Sequence, residues 1–231
     1  MEIRIMLDLI YCAGNNERLS QIAHEEEWLL GMRSDHSLHC YPPTFIDIDY
    51  KKPDFEKHLE IVAKYHPKYA TIPDLSEKEV CEEDIARALK QYERLVPYCD
   101  IPLIIPKLTG QFALLPDDVA IGYSVPSSYG GAQYPLWELA RRRVHLLGGS
   151  PKKQMQIYLH LNPIAEVMSA DGNYAQKMAI RYGEYWYRHK WIDHPGIKAG
   201  RKDLYFECWK WSCRNLMVAW KQISRPLEEI A

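Results

Sequence analysis

Apolar and polar positions fall into blocks along this chain, and the clearest block covers residues 45–74, FIDIDYKKPDFEKHLEIVAKYHPKYATIPD. Two short apolar runs, Phe45-Ile46-Asp47 and Ala70-Thr71-Ile72-Pro73-Asp74, each close on a carboxylate. Between them Phe55, Leu59, Val62 and Tyr65 recur at helical spacing and give the linking segment one apolar face. The block reads as strand, helix, strand. Such a crossover makes its two strands parallel, so both C-terminal ends emerge on one rim. Asp47 and Asp74 are therefore expected to face one crevice, and in α/β barrels that rim is where chemistry is done.

The same patterning extends over the rest of the chain. Residues 2–10 predict a first strand, closed by a turn at Gly14-Asn15-Asn16, and residues 18–28 a helix. Residues 31–35 read as a polar loop. Ser76 with Glu79 makes a capping-box pattern, opening a helix through Val80, Ile85, Leu89, Tyr92 and Val96 that Pro97 closes. Residues 101–106 predict a strand ending at Lys107, and residues 119–123 another, followed by the loop SVPSSYGGAQYP. A short helix over 137–142, a strand over 144–147 and a helix opened by Ser150-Pro151 come next. Residues 166–168 form a last strand that runs into Ser169-Ala170-Asp171. Helices fill residues 185–231, with a break at Asp193-His194-Pro195-Gly196.

About seven strands alternating with helices, without repeats or linkers, predict one α/β domain over residues 1–231. The expected fold is an irregular (β/α)8 barrel of TIM type, complete or incomplete, with a helical C-terminal segment. An open doubly wound sheet is the alternative, but no GxGxxG turn follows the first strand.

Composition narrows the setting. The 231 residues are 47% hydrophobic, an ordinary globular balance, and the formal charge of −2 gives no general attraction to nucleic acid. Arg141-Arg142-Arg143 and Lys152-Lys153 are local clusters able to make a basic patch, although Arg141–Arg143 is read first as a solvated helix face. The opening MEIRIMLDLI is too short and acidic for a signal peptide, and no apolar run reaches the ~18 residues of a membrane span. Six scattered cysteines fit a reducing, cytoplasmic setting with thiols free or metal-bound.

Three predicted strand ends carry acids: Asp47, Asp74 and Asp171. Asp49, two residues beyond Asp47, is a fourth on the same side. Paired carboxylates suit substitution at a sugar carbon, one ionised acid at the anomeric centre and another handling a proton. The plainer role for each is to cap the following helix. Gly148-Gly149-Ser150, entering a helix, suits a phosphate at the helix N-terminus. His189, His194, Cys208 and Cys213 are chemically suited to a structural zinc. Their spacing, H-x4-H-x13-C-x4-C, matches no standard finger, and cysteines five apart on a helix point about 140° apart.

The order FIDIDY, KYATIPDL, IIPK, AIGYSVPSSYGG, VHLLGGSPKK, VMSADGNYA resembles the tRNA-guanine transglycosylase superfamily. Within it, the pattern is similar to the compact phage and bacterial branch that places 7-deazaguanine bases into DNA. The resemblance spans residues 45–181 and implies an irregular (β/α)8 barrel. It gives Asp171, in SADGN, the role of nucleophile at C1′, and Asp47 that of the acid assisting exchange. Asp74 becomes the acid on the purine edge, and Gly122, Tyr123 and Ser124 the loop whose backbone holds the base. Lys107 stands near a position where the family often has glutamine. The family's Cys-x-Cys-x2-Cys…His zinc site is missing, so zinc is either lost or rebuilt from His189, His194, Cys208 and Cys213. Ile48-Asp49-Tyr50 replaces the usual SGGF. The implied partners are DNA and a 7-deazaguanine base of the preQ0 type, with no energy cofactor and no membrane. A tRNA substrate, a nucleoside or glycoside hydrolase on the same fold, and a non-catalytic nucleic-acid-binding subunit are the alternatives.

Overall fold

The computed structural model describes residues 7–13, 16–36, 40–128, 130–198 and 200–224. Eight parallel strands close into a barrel in chain order, each paired with the next and the last with the first. They are β1 (Asp8–Ala13), β2 (Leu29–Arg33), β3 (Phe45–Asp47), β4 (Tyr69–Thr71), β5 (Ile101–Ile104), β6 (Ala120–Ser124), β7 (Arg143–Leu147) and β8 (Glu166–Gly172). Strand β1 runs three residues past the expected end at Ile10, to Ala13; residues 2–6 and the turn residues 14–15, also covered by that expectation, lie outside the described residues.

The 45–74 block forms as its pattern predicts. Asp54 opens α2 (Phe55–Tyr65) by accepting from the Lys57 N–H at 3.1 Å. His66, left-handed at φ 48, closes it with its N–H on Val62 O. Phe55 and Val62 bury the predicted face, while β3 and β4 pair in parallel through Phe45↔Tyr69 and Ile46↔Ala70.

Several expectations need correction. Residues 31–33 are not loop, because Gly31, Met32 and Arg33 complete β2, and only Ser34 and Asp35 form the expected turn. A Cβ on Gly31 would lie 2.9 Å from Phe45 Cδ1, so glycine there makes room for a phenylalanine inside the barrel. The helix before it, α1 (Glu17–Glu25), stops short of Trp28. Glu27 turns left-handed (φ 68) and the Trp28 N–H returns to Ala23 O at 3.0 Å, a helix ending that usually takes glycine. The Ser76–Glu79 box does not form. Instead α3 (Glu82–Leu95) starts behind Cys81, and Asp84 in its first turn accepts from the Ser76 N–H at 2.8 Å.

Residues 137–142 hold only a 3₁₀ turn, Leu136–Leu139. The C-terminal stretch is also not helical throughout. After α4 (Pro151–Leu161), β8 and α5 (Tyr174–Tyr182) comes an antiparallel ribbon, β9 (Glu184–Tyr187) and β10 (Lys190–Asp193). A short α6 (Pro195–Lys198) precedes the long α7 (Tyr205–Ile223).

Helix α7 packs on α1, α4 and α5 and takes the place of the outer helix after β8. The indoles of Trp28 and Trp209 tie it down, donating to Cys213 O at 3.1 Å and Leu19 O at 2.9 Å. Trp186, Trp209 and Trp220 are fully buried there. At ~25 cal/mol per Å² and roughly 200 Å² each, burial of one such ring contributes on the order of 5 kcal/mol before ordering costs. A separate inner layer, Ile10, Phe45, Tyr69, Leu103 and Ala120, plugs the barrel below its mouth.

Candidate active site

Above that plug the C-terminal rim opens into a cleft of about 1470 Å³, its solvent-open mouth included. Five of the residues expected at the site line it: Asp47, Asp74, Lys107, Ser124 and Asp171. They arrive from β3, the loop after β4, the loop after β5, the end of β6 and β8, as short parallel strands of one barrel dictate.

Asp171 reaches the mouth through an irregularity. Val144 pairs with Val167 but His145 pairs with Ser169, so β8 carries one extra residue. Side chains alternate across a strand, and this bulge shifts the alternation so that Ser169 and Asp171 face inward with His145. The Asp171 carboxylate accepts the Gly148 N–H at 3.0 Å, and its Oδ1 lies 3.2 Å from His145 Nε2. His145 Nδ1 is 2.7 Å from Ser169 Oγ, and the ring stacks on Phe45 at 4.8 Å. In a neutral ring, donation from Nε2 to the carboxylate leaves Nδ1 to accept the Ser169 hydroxyl proton. The chain Ser169–His145–Asp171 thus fixes the carboxylate from below. Gln154 adds a staple, its amide donating to Gly148 O at 2.8 Å and Asp171 O at 2.6 Å.

Asp47 is held differently. Its Oδ1 accepts the Thr71 hydroxyl at 2.8 Å, and Thr71 Oγ1 in turn accepts the Ile48 N–H at 2.9 Å. Burial pushes the Asp47 carboxyl up to about 7, and the Asp171 charge adds to this against the opposing Thr71 hydrogen bond. Cys12 sits between the two acids; burial, then Asp171, then Asp47, raise its thiol well above the ordinary range. Asp74 forms an ion pair with Lys107 Nζ at 2.6 Å, and the same ammonium donates to Ser124 Oγ at 2.8 Å. Burial raises Asp74 and Lys107 opposes the rise.

The remaining candidates lie elsewhere. Gly122 is one layer down, where a Cβ would meet Leu147 Cδ1 at 2.7 Å. Tyr123 faces outward and packs edge-on against Tyr134, ring centroids 5.6 Å apart. Asp49 accepts the Lys51 N–H at 3.1 Å in its own turn, 3.7 Å from Arg33. Gly130 and Gly131 of the loop after β6 do reach the cleft, whereas Tyr129, just before them, lies outside the described residues. The Gly148 amide serves Asp171 rather than a phosphate. Arg142 is buried and bonds Leu115 O and Pro116 O, so it braces a loop instead of binding a ligand.

His189 caps the β9–β10 turn, while His194 stacks on Trp211 at 4.8 Å beside Glu207. Cys208 and Cys213 are buried on α7. Among the described residues no three His, Cys, Asp or Glu side chains gather as a metal-holding group.

Sequence reading missed His145, Thr71, Cys12 and Gln154. Cys12, Thr71 and His145 sit within strands, where alternation alone marks an inward residue, and Gln154 is one helical turn past the Gly148-Gly149 turn. What results is two carboxyl groups in one mouth, one held by donors and one set to carry a proton near neutral pH. That pairing can deliver a nucleophile and an acid–base catalyst to the same substrate carbon.

No curated protein matches this sequence. A model described as a family of unknown function (DUF6610) matches residues 23–221, from within α1 to within α7. The chain belongs to that family, DUF6610.

Proposed function

We propose that this protein is a base-exchange transglycosylase that replaces guanine in DNA by a 7-deazaguanine through a covalent aspartyl intermediate. The observation that carries the reading is the pair in the barrel mouth: Asp171 held by the Gly148 amide and His145, and Asp47 raised to about 7 beside it. The order of motifs from FIDIDY to SADGN, and its resemblance to the transglycosylases, supplies the substrate class.

In the proposed reaction the target nucleotide leaves the base stack to reach the mouth. An Asp171 oxygen bonds to C1′ while the C1′–N9 bond breaks, and its electron pair departs with guanine. Asp47, neutral at the start, gives the leaving base its proton and becomes a carboxylate. The incoming 7-deazaguanine returns a proton to Asp47 and attacks C1′, expelling Asp171. Two displacements restore the starting configuration at the sugar. One glycosidic bond is exchanged for another, so the scheme calls for no energy source. Asp74, steered by Lys107, offers acceptors to the polar edge of the purine.

The test is incubation of purified protein with preQ0 base and guanine-containing DNA, with tRNA in parallel, followed by mass spectrometry of the nucleosides. Deazaguanine in DNA, lost in Asp171→Asn with the fold retained by circular dichroism, is the expected result. Incorporation only into tRNA, release of guanine without incorporation, or full exchange by the variant each overturns the proposal as stated.

A further inference from the structure

We propose that the tip of the β9–β10 ribbon is the surface that grips the DNA sugar-phosphate backbone while the target base occupies the barrel mouth. The inference rests on the DNA-modifying reading above. Tyr187 pairs with Lys190, so Arg188 and His189 alone form the turn. Both are left-handed, at φ 46 and 64. A two-residue hairpin turn with two positive φ angles is easiest for Asn-Gly; His is among the side chains that tolerate the left-handed region, and a long one such as Arg is strained there. This ribbon keeps the long basic side chain of Arg188 at a position where its own folding prefers a small one, a conflict that belongs at a functional surface.

Charge is sorted along the ribbon in the matching sense. Glu184 and Asp193 are cross-strand partners at its base, whereas Arg188, His189 and Lys190 crowd the tip and are exposed. The Arg188 guanidinium lies over the Tyr187 ring, 5.2 Å from its centroid, and Tyr187 is 39% exposed. Cation and aromatic face thus stand together, the combination that takes phosphate and sugar or an unstacked base.

The tip is also continuous with the cleft. Trp191, one residue beyond Lys190, packs against Tyr174 with centroids 5.7 Å apart. Tyr174 directly follows Gly172 and Asn173, which line the cleft wall. The cleft lining sets Arg33, Lys107 and Lys177 against Asp47, Asp74, Glu77 and Asp171, with Lys107 already paired to Asp74, and the chain as a whole has a formal charge of −2. Neither feature gives a net attraction for a polyanion. Phosphates flanking the target nucleotide are served by cations beside the mouth, and the ribbon tip supplies them.

The experiment is fluorescence anisotropy of a labelled guanine-containing DNA duplex, titrated with full-length protein at several salt concentrations. Arg188→Ala/Lys190→Ala should bind about tenfold more weakly, with the log–log salt slope shallower by about 2, as expected for two lost phosphate contacts. Arg188→Asn/His189→Gly relieves the left-handed turn and removes the Arg188 cation together. It should melt at a higher temperature than the parent yet bind DNA more weakly, a pair of shifts that loss of fold does not produce. If wild-type protein exchanges base on this duplex and both variants bind it with parental affinity and slope, the ribbon assignment is wrong and the DNA reading stands. If wild-type protein neither binds nor exchanges on DNA, the reading beneath fails and takes this surface with it.

Discussion

Asp47 should make the protein less stable as the pH rises, and replacing it with asparagine should remove that dependence. Its carboxyl is raised from 3.8 to about 7 in the folded chain, first by burial and then by the Asp171 charge. A carboxyl raised on folding contributes stability fully present below its unfolded value and lost as pH climbs through the folded one. The window is therefore about pH 4 to 7. Three units at 1.36 kcal/mol per unit set an upper figure of about 4 kcal/mol. Asp47 is only partly buried at the open cleft, so water screens part of this, and about 2 kcal/mol is the expected observable. The asparagine amide keeps an oxygen for the Thr71 hydroxyl and carries no charge. For a chain of this size, 2 kcal/mol moves the melting temperature by about 4–8 °C. Thermal melts of wild type and Asp47→Asn should thus nearly coincide at pH 4 and separate by that amount at pH 8, with the variant higher. A constant difference across the range would mean that the Asp47 carboxyl ionises normally, and the acid–base role built on it would go too.

Two further outcomes follow from the site's framework. Gly149 has φ +81, and an added Cβ would lie 2.4 Å from Val125 Cγ1; Gly149→Ala should cost about 2–4 kcal/mol in urea unfolding, part of it recovered by adding Val125→Ala. Lys107→Met leaves Asp74 with burial unopposed, so its carboxyl rises further. By the same sign rule the variant should lose about 1–2 kcal/mol more at pH 8 than at pH 4, read from unfolding curves at the two values.

The parts of the fold that were legible in the sequence are those where local pattern and tertiary role agree. The α2 crossover announces itself because Phe55 and Val62 are buried and Asp54 caps the helix it should cap. The same holds for Ser150, whose hydroxyl accepts the Lys153 N–H ahead of Pro151. Strand β2 was hidden because Gly31 and Arg33 look like loop residues, and only the barrel's need for space beside Phe45 explains the glycine. The α1 ending was hidden because Glu27, not glycine, adopts the left-handed turn. The ribbon was hidden for the same reason at Arg188 and His189. In the site, Asp47, Asp74 and Asp171 were readable as acids at strand ends. His145 was not, since a histidine inside an apolar strand carries no signal until β8 is laid beside it with its register shifted.

That shifted register makes the chemistry of the mouth a matter of counting. Met168 is the extra residue, and the bulge absorbs it so that Ser169 lies opposite His145; losing Met168 would leave a regular strand with Asp171 still in the mouth. Losing Ala170 instead, past the bulge, would reverse the alternation and turn the Asp171 position away from His145 and toward the outer helices. Such a deletion edits no acid, yet it takes a reactive carboxylate out of the cleft and leaves a charge among apolar side chains. The count of residues from Ser169 to Asp171 thus matters to the site as much as the identity of the aspartate.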